Sequence, residues 1–407
     1  MGDAPDRRPV TGSARAATAA VTVTTVGVLP VYLVGILWVQ LQDDFDFGPE
    51  LLGTLVAVFF LTSAVSALTA GTIVRRFGAS PVVRVSALVA SVSMLVIALS
   101  AQHTAVLVAA LAFSGWGNGI GQPASNDLIA RAVVRTRHGL AYGVKQAAIP
   151  LSTMIAGIAV PLVAIPLGWR PAFAMCAALG LLVMLTVPSA GRPGSADSPA
   201  SAEATEAAGP FRRAPLFVLA AGLMLGAAAG NAMGSFLVAT AVDGGIAPST
   251  AGVLAAVASG AGALSRVGFG WLADRFRTRW LLVVAAQMAI GGVGYALLGT
   301  GIEVLIGVGA VIGYCAGWAW AGLSTFSVAR MHPGMTARAT SITQGGTGTG
   351  AALGPLLFGL VVSATSYSVA WYATAVVAVL AGAVIVQGRR MLVRVRPGLV
   401  AAQRRRR

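Results

Sequence analysis

Apolar residues follow one another along this chain in long runs, and short polar segments interrupt these runs at regular intervals. A hydrocarbon core of about 30 Å takes about 20 apolar residues per helix, because lipid offers the backbone no hydrogen-bond partners. The pattern therefore predicts twelve membrane-spanning helices. Their expected ranges are roughly 17–41, 51–74, 82–101, 104–130, 138–163, 171–188, 215–241, 250–273, 280–299, 303–329, 338–363 and 369–388.

One segment of different composition divides these helices into six and six. Residues 189–214 are rich in Pro, Gly, Ser and Ala and have no apolar period, which is typical of a flexible linker. The expected organisation is therefore two helical bundles flanked by short end segments. These parts are an N-terminal segment (1–16), a first bundle (17–188), the linker, a second bundle (215–388) and a basic tail (389–407).

The two halves repeat each other in parallel. An offset of 198 residues places Gly115, Gly119 and Gln146 on Gly313, Gly317 and Gln344, and an offset of 199 places Gly71, Arg76 and Phe77 on Gly270, Arg275 and Phe276. Chance matches between apolar helices are common, but a nearly constant, ungapped offset is not. Parallel repeats of this kind are typical of transporters built around an axis normal to the membrane.

Composition supports a membrane protein and charge placement sets its orientation. Hydrophobic residues make up 57% of the chain and charged residues 10%, against roughly 45–50% and 25% in soluble domains. The net charge of +15 would suggest a nucleic-acid partner in a soluble protein. Here, however, arginines crowd the termini and alternate loops, whereas the other loops carry acids and only Arg170. The positive-inside rule therefore predicts a multi-pass plasma membrane protein with both termini cytoplasmic and no nucleic-acid partner.

Three short sequences resemble signatures of the major facilitator superfamily, and the resemblance covers nearly the whole chain. They are "GWLADRFRTR" after the eighth predicted helix, "GWGNGIGQP" in the fourth and "GWRPAF" before the sixth. The resemblance implies an all-α fold of twelve transmembrane helices in two six-helix bundles. It also implies transport by alternating access, with helices 1, 4, 7 and 10 around a cavity, helices 2, 5, 8 and 11 between the halves, and the others facing lipid.

By the same resemblance, charged residues at the ends of helices 2 and 8 act as a structural latch of the inward gate. Asp274 and Arg275 match the signature, with Arg75 and Arg76 at the corresponding place in the first half. Arg75 stands where the family has an acid, and Asp127 is near enough to offset it. Leu111 replaces the helix-4 arginine of proton-coupled drug exporters, and "GxxxGP" is found in helix 11 rather than helix 5. These departures argue against a drug/proton antiporter.

A stripe of amides marks the fourth predicted helix. Asn118, Gln122 and Asn126 are spaced by four residues, so they share one face of an otherwise apolar helix. That face is expected to meet a wet cavity or to bond neighbouring helices, because amides are unfavourable in lipid. Further candidates for substrate contact are Asn231 and Ser235 in helix 7. Tyr32, Trp318 and Trp320 are candidates for the cavity wall, with plain packing as the alternative.

The only lysine of the chain, Lys145, lies inside the fifth predicted helix, and Arg266 lies at similar depth in the eighth. In the family's architecture these helices adjoin, so two cations would meet unless an anion lies between them. "Arg-x-x-x-Gly-x-x-x-Asp" (Arg266, Gly270 and Asp274) is similar to a sequence found in carriers of small organic anions. One hypothesis is that both cations bind the substrate, and the other is that Lys145 pairs with Asp127.

The sequence thus favours a secondary transporter of a small, anionic solute, with drug or metabolite efflux by proton antiport as the alternative. An enzyme is not expected, because His103, His138 and His332 all fall in or beside predicted loops. A ligand sensor with the same fold remains a minor alternative. Cys176 and Cys315 lie inside predicted spans and their spacing fits no metal site, so neither a metal nor a cofactor is expected. A proton or an exchanged counter-substrate is a possible further partner.

Overall fold

A computed structural model shows an all-helical protein. It describes residues 10–42, 44–45, 48–133, 137–187, 213–276, 278–332 and 335–395, and no strand occurs among them. The predicted linker 189–214 lies outside the described residues except for its last two positions. Twelve long helices follow one another along the described ranges, as predicted. They are α1 (Val10–Ile36), α2 (Pro49–Phe77), α3 (Ala79–Ser100), α4 (Thr104–Ala132), α5 (His138–Leu167), α6 (Trp169–Thr186), α7 (Ala214–Asp243), α8 (Pro248–Arg275), α9 (Trp280–Leu298), α10 (Glu303–Met331), α11 (Thr336–Ala364) and α12 (Tyr367–Val395).

Eleven of these helices are long and apolar enough to cross a membrane. The twelfth, α6, has 18 residues, which at 1.5 Å per residue also comes close to a hydrocarbon core of about 30 Å. The observed helices extend past several predicted ends; α12 continues to Val395 instead of ending near residue 388. The difference arises because hydropathy marks only the lipid-facing length, whereas the backbone stays helical through Arg389 and Arg390.

Local sequence explains where several helices begin and turn. Proline occupies the first turn of α2 and α8, where its missing N–H costs nothing. Gly78 and Gly168 have φ values of +84° and +89°, which other residues rarely adopt. These two glycines permit the abrupt reversals from α2 to α3 and from α5 to α6.

Helix pairing follows the internal repeat. In the first six helices α2 packs on α4, α3 on α6, and α1 on α4 and α5. In the last six α8 packs on α10, α9 on α12, and α7 on α11. The pairs that join the two groups include α1 with α7, α2 with α11, α5 with α8, and α5 with α10. The two-bundle architecture predicted from the offset is therefore confirmed.

Exposure separates central from peripheral helices. In the α1 segment Ala17–Ile36, 89% of an apolar stretch of 18 residues is buried, although the segment has the composition of a membrane span. Large apolar side chains are exposed along α3, α6, α9 and α12, as the resemblance implied. They are also exposed on other helices, as at Val304 and Val308 in the first half of α10, whose opposite face is buried at Ile306 and Ala310.

Two of the central helices are interrupted. The regular α-helix of α5 breaks at Ala147 and becomes π-helical over Val160–Ala164. In α10 a π-helical turn, Gly313–Gly317, is followed by a non-helical turn at 318–320 before the helix resumes at Ala321. Such interruptions are frequent at functional sites, and both of these lie next to a buried cation.

Candidate functional site

The amide stripe of α4 forms one continuous hydrogen-bonded row. The Asn118 amide nitrogen donates to the Ser63 hydroxyl of α2 at 2.9 Å, and the Gln122 amide nitrogen donates to the Asn118 oxygen at 3.2 Å. The row continues to Asn126 through Lys145 of α5. The stripe therefore bonds neighbouring helices, which was one of the two alternatives, and Gln122 and Asn126 are half-buried.

Lys145 is fully enclosed by neutral acceptors. Its side chain is 2% exposed, and its ammonium donates to the Gln122 side-chain oxygen (3.0 Å), the Gln122 backbone carbonyl (3.2 Å) and the Asn126 side-chain oxygen (2.5 Å). These three bonds use all three donors of the group. The acid considered as its partner, Asp127, is not among the acceptors. Lys145 thus fixes which way both amides of α4 point.

Arg266 of α8 joins helices from both halves. Its side chain is 2% exposed, and its two terminal nitrogens donate to the backbone carbonyls of Gln146 in α5 and Trp318 in α10, each at 2.5 Å. The guanidinium also lies over the Trp318 ring at 5.3 Å. Arg266 is therefore anchored by neutral groups on two other helices.

Both carbonyls are available because the helices that carry them are interrupted. In a regular α-helix the carbonyl of residue i accepts from the N–H of residue i+4. For Gln146 that residue is Pro150, which has no N–H. Trp318 lies in the non-helical turn of α10. Arg266 thus supplies donors to two acceptors that their own helices leave unpaired.

The guanidinium keeps further binding capacity. Its Nε–H is buried and has no hydrogen-bond partner, and none of the described acidic side chains contacts it. An arginine has five N–H donors in a planar fork that suits a carboxylate. Among the residues that the structure describes, Arg266 is therefore a buried cation with no acidic partner.

Aromatic residues from α1 and α10 enclose this cation. The Tyr32 ring meets the Trp318 ring edge-on, with centroids 5.7 Å apart, and Tyr314 lies 5.5 Å from the same ring. The Tyr32 hydroxyl donates to the Asn231 side-chain oxygen of α7 at 2.9 Å. Two predicted residues, Tyr32 and Asn231, are thus bonded to each other, and Tyr32 contacts the ring over which Arg266 lies.

Ser235 and Trp320 occupy different surroundings. The Ser235 hydroxyl is buried without a hydrogen-bond partner, where α7 passes closely against Gly35 of α1. Trp320 donates its indole N–H to the Gly317 carbonyl at 2.9 Å and packs among α7 and α9 residues such as Met288. The structure therefore places Trp318, rather than Trp320, beside Arg266.

A second polar contact lies at the end of the bundle where α1 begins and α12 ends, called the terminal end below. The two carboxylate oxygens of Asp274, near the end of α8, accept hydrogen bonds of 2.7 Å from the backbone N–H groups of Gly139 and Leu140. These residues form the first turn of α5, so Asp274 caps that helix across the boundary between the halves. Asp274 thus joins the two halves at this end, and its role as a latch stays a prediction.

The other residues predicted for the latch make local contacts. Arg275 lies over the Trp271 ring and Arg76 over the Phe77 ring, each at 5.4 Å. Arg75 is exposed and donates to the Thr72 hydroxyl at 3.1 Å. The described contacts of the first-half arginines thus stay on α2.

Sequence reasoning missed the roles of Gln146 and Tyr314. Gln146 contributes its backbone carbonyl rather than its side chain. Its residue type therefore gave no indication of this role. A signal did exist in the spacing of Gln146 and Pro150, because a proline in a helix always frees the carbonyl four residues before it.

These features define a class of protein: a polytopic helical bundle with two repeated halves and a buried polar site between them. The family profile described as Major Facilitator Superfamily matches residues 18–301 and 218–404. The chain belongs to that superfamily, which points to a secondary transporter of a small molecule through a membrane rather than to an enzyme.

Solved structures agree on the fold. One similar structure is that of a bacterial homolog of the human lysosomal transporter Spinster in an inward-facing, unoccupied conformation. It is 17% identical, has a TM-score of 0.69, and the match covers 95% of this chain and 99% of that one. The occupied, inward-facing form of such a homolog is 19% identical with a TM-score of 0.66, covering 96% and 98%. No curated protein matches this chain.

Proposed function

We propose that this transporter carries a small organic anion and that Arg266 binds the anionic group. The observation that carries the proposal is the buried guanidinium, which has a free Nε–H and neutral partners only. A charge near the centre of a membrane span costs about 2.5–3.5 kcal/mol on insertion scales. Carbonyl dipoles offset part of that cost, and an anion would offset more of it.

Lys145 supports the same site from the other side of α5. Its ammonium holds the oxygens of Gln122 and Asn126, so the amide nitrogens of those residues face away from it. Asn118, Tyr32, Asn231 and Ser235 complete the proposed set. Lys145 can bind substrate directly if it releases one of its three acceptors, and this would make the two cations a clamp.

The transport cycle we propose is alternating access between the two six-helix bundles, 17–188 and 215–388. Asp274 latches α8 to the start of α5 in the state described here. The arginine-rich loops favour cytoplasmic termini in a plasma membrane. The terminal end is then the inner face.

The test measures thermal stabilisation of the purified protein by acetate, lactate, benzoate, inorganic phosphate and tetraphenylphosphonium. We expect a carboxylate to stabilise the wild type. Arg266→Gln should weaken its binding by about 2–3 kcal/mol, the worth of a hydrogen bond to a charged group, or roughly 30- to 150-fold. Lys145→Gln should weaken it less. Arg394→Gln removes an exposed positive charge and serves as the matched control. Stabilised carboxylates then go to uptake assays in proteoliposomes.

Two outcomes would reject this assignment. Carboxylate binding that survives Arg266→Gln would show that the guanidinium does not hold the anion. Stabilisation by tetraphenylphosphonium alone, unchanged in both variants, would instead favour efflux of lipophilic cations by proton antiport.

A further inference from the structure

The terminal half of α2 faces α11 across a gap. The two helices meet at Ala64 and Gly348, since a Cβ added at Gly348 would lie 3.9 Å from the Ala64 methyl group. Closer to the terminal end, a Cβ at Gly345 would meet nothing within 4 Å, and one at Gly71 would meet only the Arg75 side chain of its own helix. The helices therefore move apart towards the terminal end.

Two arginines flank this gap at the same depth. Arg75 follows Ala64 by 11 residues along α2, and Arg338 precedes Gly348 by 10 residues along α11, which runs in the opposite direction. Both separations are about three helical turns, so each arginine lies roughly 15–17 Å from the contact and within about a quarter-turn of the facing side. Both side chains are exposed.

The equivalent interface holds an anion at this place. The offsets of 199 and 198 residues place Arg75 on Asp274 and Arg338 on Leu140. Between α5 and α8 the Asp274 carboxylate accepts a hydrogen bond of 2.7 Å from the Leu140 N–H. The corresponding place between α2 and α11 thus has two cations where α5–α8 has an acid and the start of a helix.

The start of α11 adds to the positive charge. Its first turn contains Arg338 but no acidic residue, and Met335, which precedes it, provides no side-chain cap. The N–H groups of a first turn carry a partial positive charge that favours anions. Asp127, which could have offset Arg75, forms no ion pair with it among the described residues, where Arg75 donates to Thr72 of its own helix. Narrowing of the gap is therefore opposed by repulsion that an anion would relieve.

We propose that the phosphate of an anionic phospholipid binds between Arg75 and Arg338 and that it lets the terminal ends of α2 and α11 close. A phosphate has enough acceptor oxygens for two guanidinium groups and the start of a helix. A lipid is the source because Leu61, Val65 and Leu68 of α2 are exposed on the same half of the helix and suit acyl chains. Basic residues at helix ends are typical of headgroup sites.

Native mass spectrometry of the purified protein tests the site with phosphatidylglycerol and phosphatidylcholine. We expect a preference of roughly 25-fold for phosphatidylglycerol, because each of two arginines contributes about fivefold. Arg75→Gln and Arg338→Gln should each weaken binding of phosphatidylglycerol about fivefold and leave phosphatidylcholine unchanged. Arg394→Gln removes another exposed arginine, near the terminal end of α12, and should change neither.

A second measurement reports on the gap. A cysteine introduced at Ala67, with Cys176 and Cys315 replaced by Ala, is labelled with a polar maleimide in nanodiscs. Ala67 is exposed in the state described here. Labelling should be about fivefold slower in phosphatidylglycerol than in phosphatidylcholine, because the lipid favours the closed conformation. Arg338→Gln should remove this difference, whereas Arg394→Gln should keep it.

Three outcomes would contradict the proposal. Equal affinity of the wild type for the two lipids, or a preference that survives both Arg75→Gln and Arg338→Gln, would reject the headgroup site. Inorganic phosphate that slows labelling in phosphatidylcholine as much as phosphatidylglycerol does would assign the site to a soluble anion instead of a lipid. A lipid preference with unchanged labelling would reject closure of the gap.

Discussion

The interfaces α5–α8 and α2–α11 occupy equivalent places in the internal repeat. They differ in how much of their length is buried between the two helices. Near the terminal end the α5–α8 interface is buried, as at Gly143, Lys145 and Arg266. At the corresponding depth Ala67 and Leu68 of α2 and Gln344 of α11 are exposed. At the opposite end both interfaces are closed, since Gly157 of α5 meets Gly252 of α8 and Gly53 of α2 meets Pro355 of α11. The halves are thus closed along all of one interface and half of the other.

The two interfaces also differ in chemistry. The offsets of 199 and 198 residues place Arg266 and Asp274 on Ala67 and Arg75, and Lys145 on Thr343. The buried cations and the helix cap therefore all belong to α5–α8. The two halves share one backbone arrangement. The residues of the candidate site occur at only one of the two equivalent interfaces. This suggests that α2–α11 can separate at the terminal end while α5–α8 holds the halves together.

The largest effect is expected from adding one methyl group to matched glycines. A Cβ at Gly270 would lie 2.6 Å from the Gly139 carbonyl oxygen, which is backbone and cannot yield, whereas a Cβ at Gly71 would meet only the Arg75 side chain at 3.6 Å. Gly270→Ala should destabilise by about 1–3 kcal/mol through overpacking. Gly71→Ala should stabilise by about 0.5–1 kcal/mol through helix propensity. Thermal unfolding of the purified variants measures both.

The two alanine substitutions test the comparison of the interfaces because they should change the stability in opposite directions. Equal destabilisation by the two alanines would mean that α2–α11 is packed as tightly as α5–α8. Equal stabilisation would mean that the close approach of Gly270 to Gly139 does not exist.

Most of the fold could be predicted because each membrane-spanning helix is determined by the residues of its own segment. Each span needs only a long apolar run, and the near-constant offset of residues such as Gly71 and Gly270 identifies the repeat. Helix ends were less predictable, since α12 remains helical through its arginines after the apolar run has ended.

The site was predictable in its residues but not in its contacts. Lys145, Arg266 and the α4 stripe stand out because polar groups are costly in a membrane span. Their partners depend on backbone breaks and on packing between distant helices. The sequence could not show that Lys145 points to α4 while Arg266 reaches the Gln146 carbonyl, nor that Trp318 rather than Trp320 meets the guanidinium.

A smaller effect should follow from removing the charge of the α5 cap. Asp274→Asn keeps the shape of the side chain but replaces one accepting oxygen and loses the favourable charge at the helix N-terminus. We expect destabilisation of about 1 kcal/mol, within the range for lost helix caps. The matched change Arg75→Gln lies at the equivalent position on α2 and should be nearly neutral, because Arg75 is exposed. A destabilisation by Arg75→Gln equal to that of Asp274→Asn would contradict the asymmetry.

The smallest effect on stability, and the sharpest test of the open interface, is expected from Arg75→Asp. This change places an acid at the position equivalent to Asp274, where it could cap the first turn of α11 once the terminal ends of α2 and α11 meet. In the state described here that half of α2 is exposed, so the stability should change by less than about 1 kcal/mol, as for exposed charges. A conformation in which the two ends close would gain the new cap, and its population should rise. Labelling of a cysteine introduced at Ala67 should therefore slow in Arg75→Asp but not in Arg75→Gln, and unchanged labelling would show that α2 and α11 do not approach each other there.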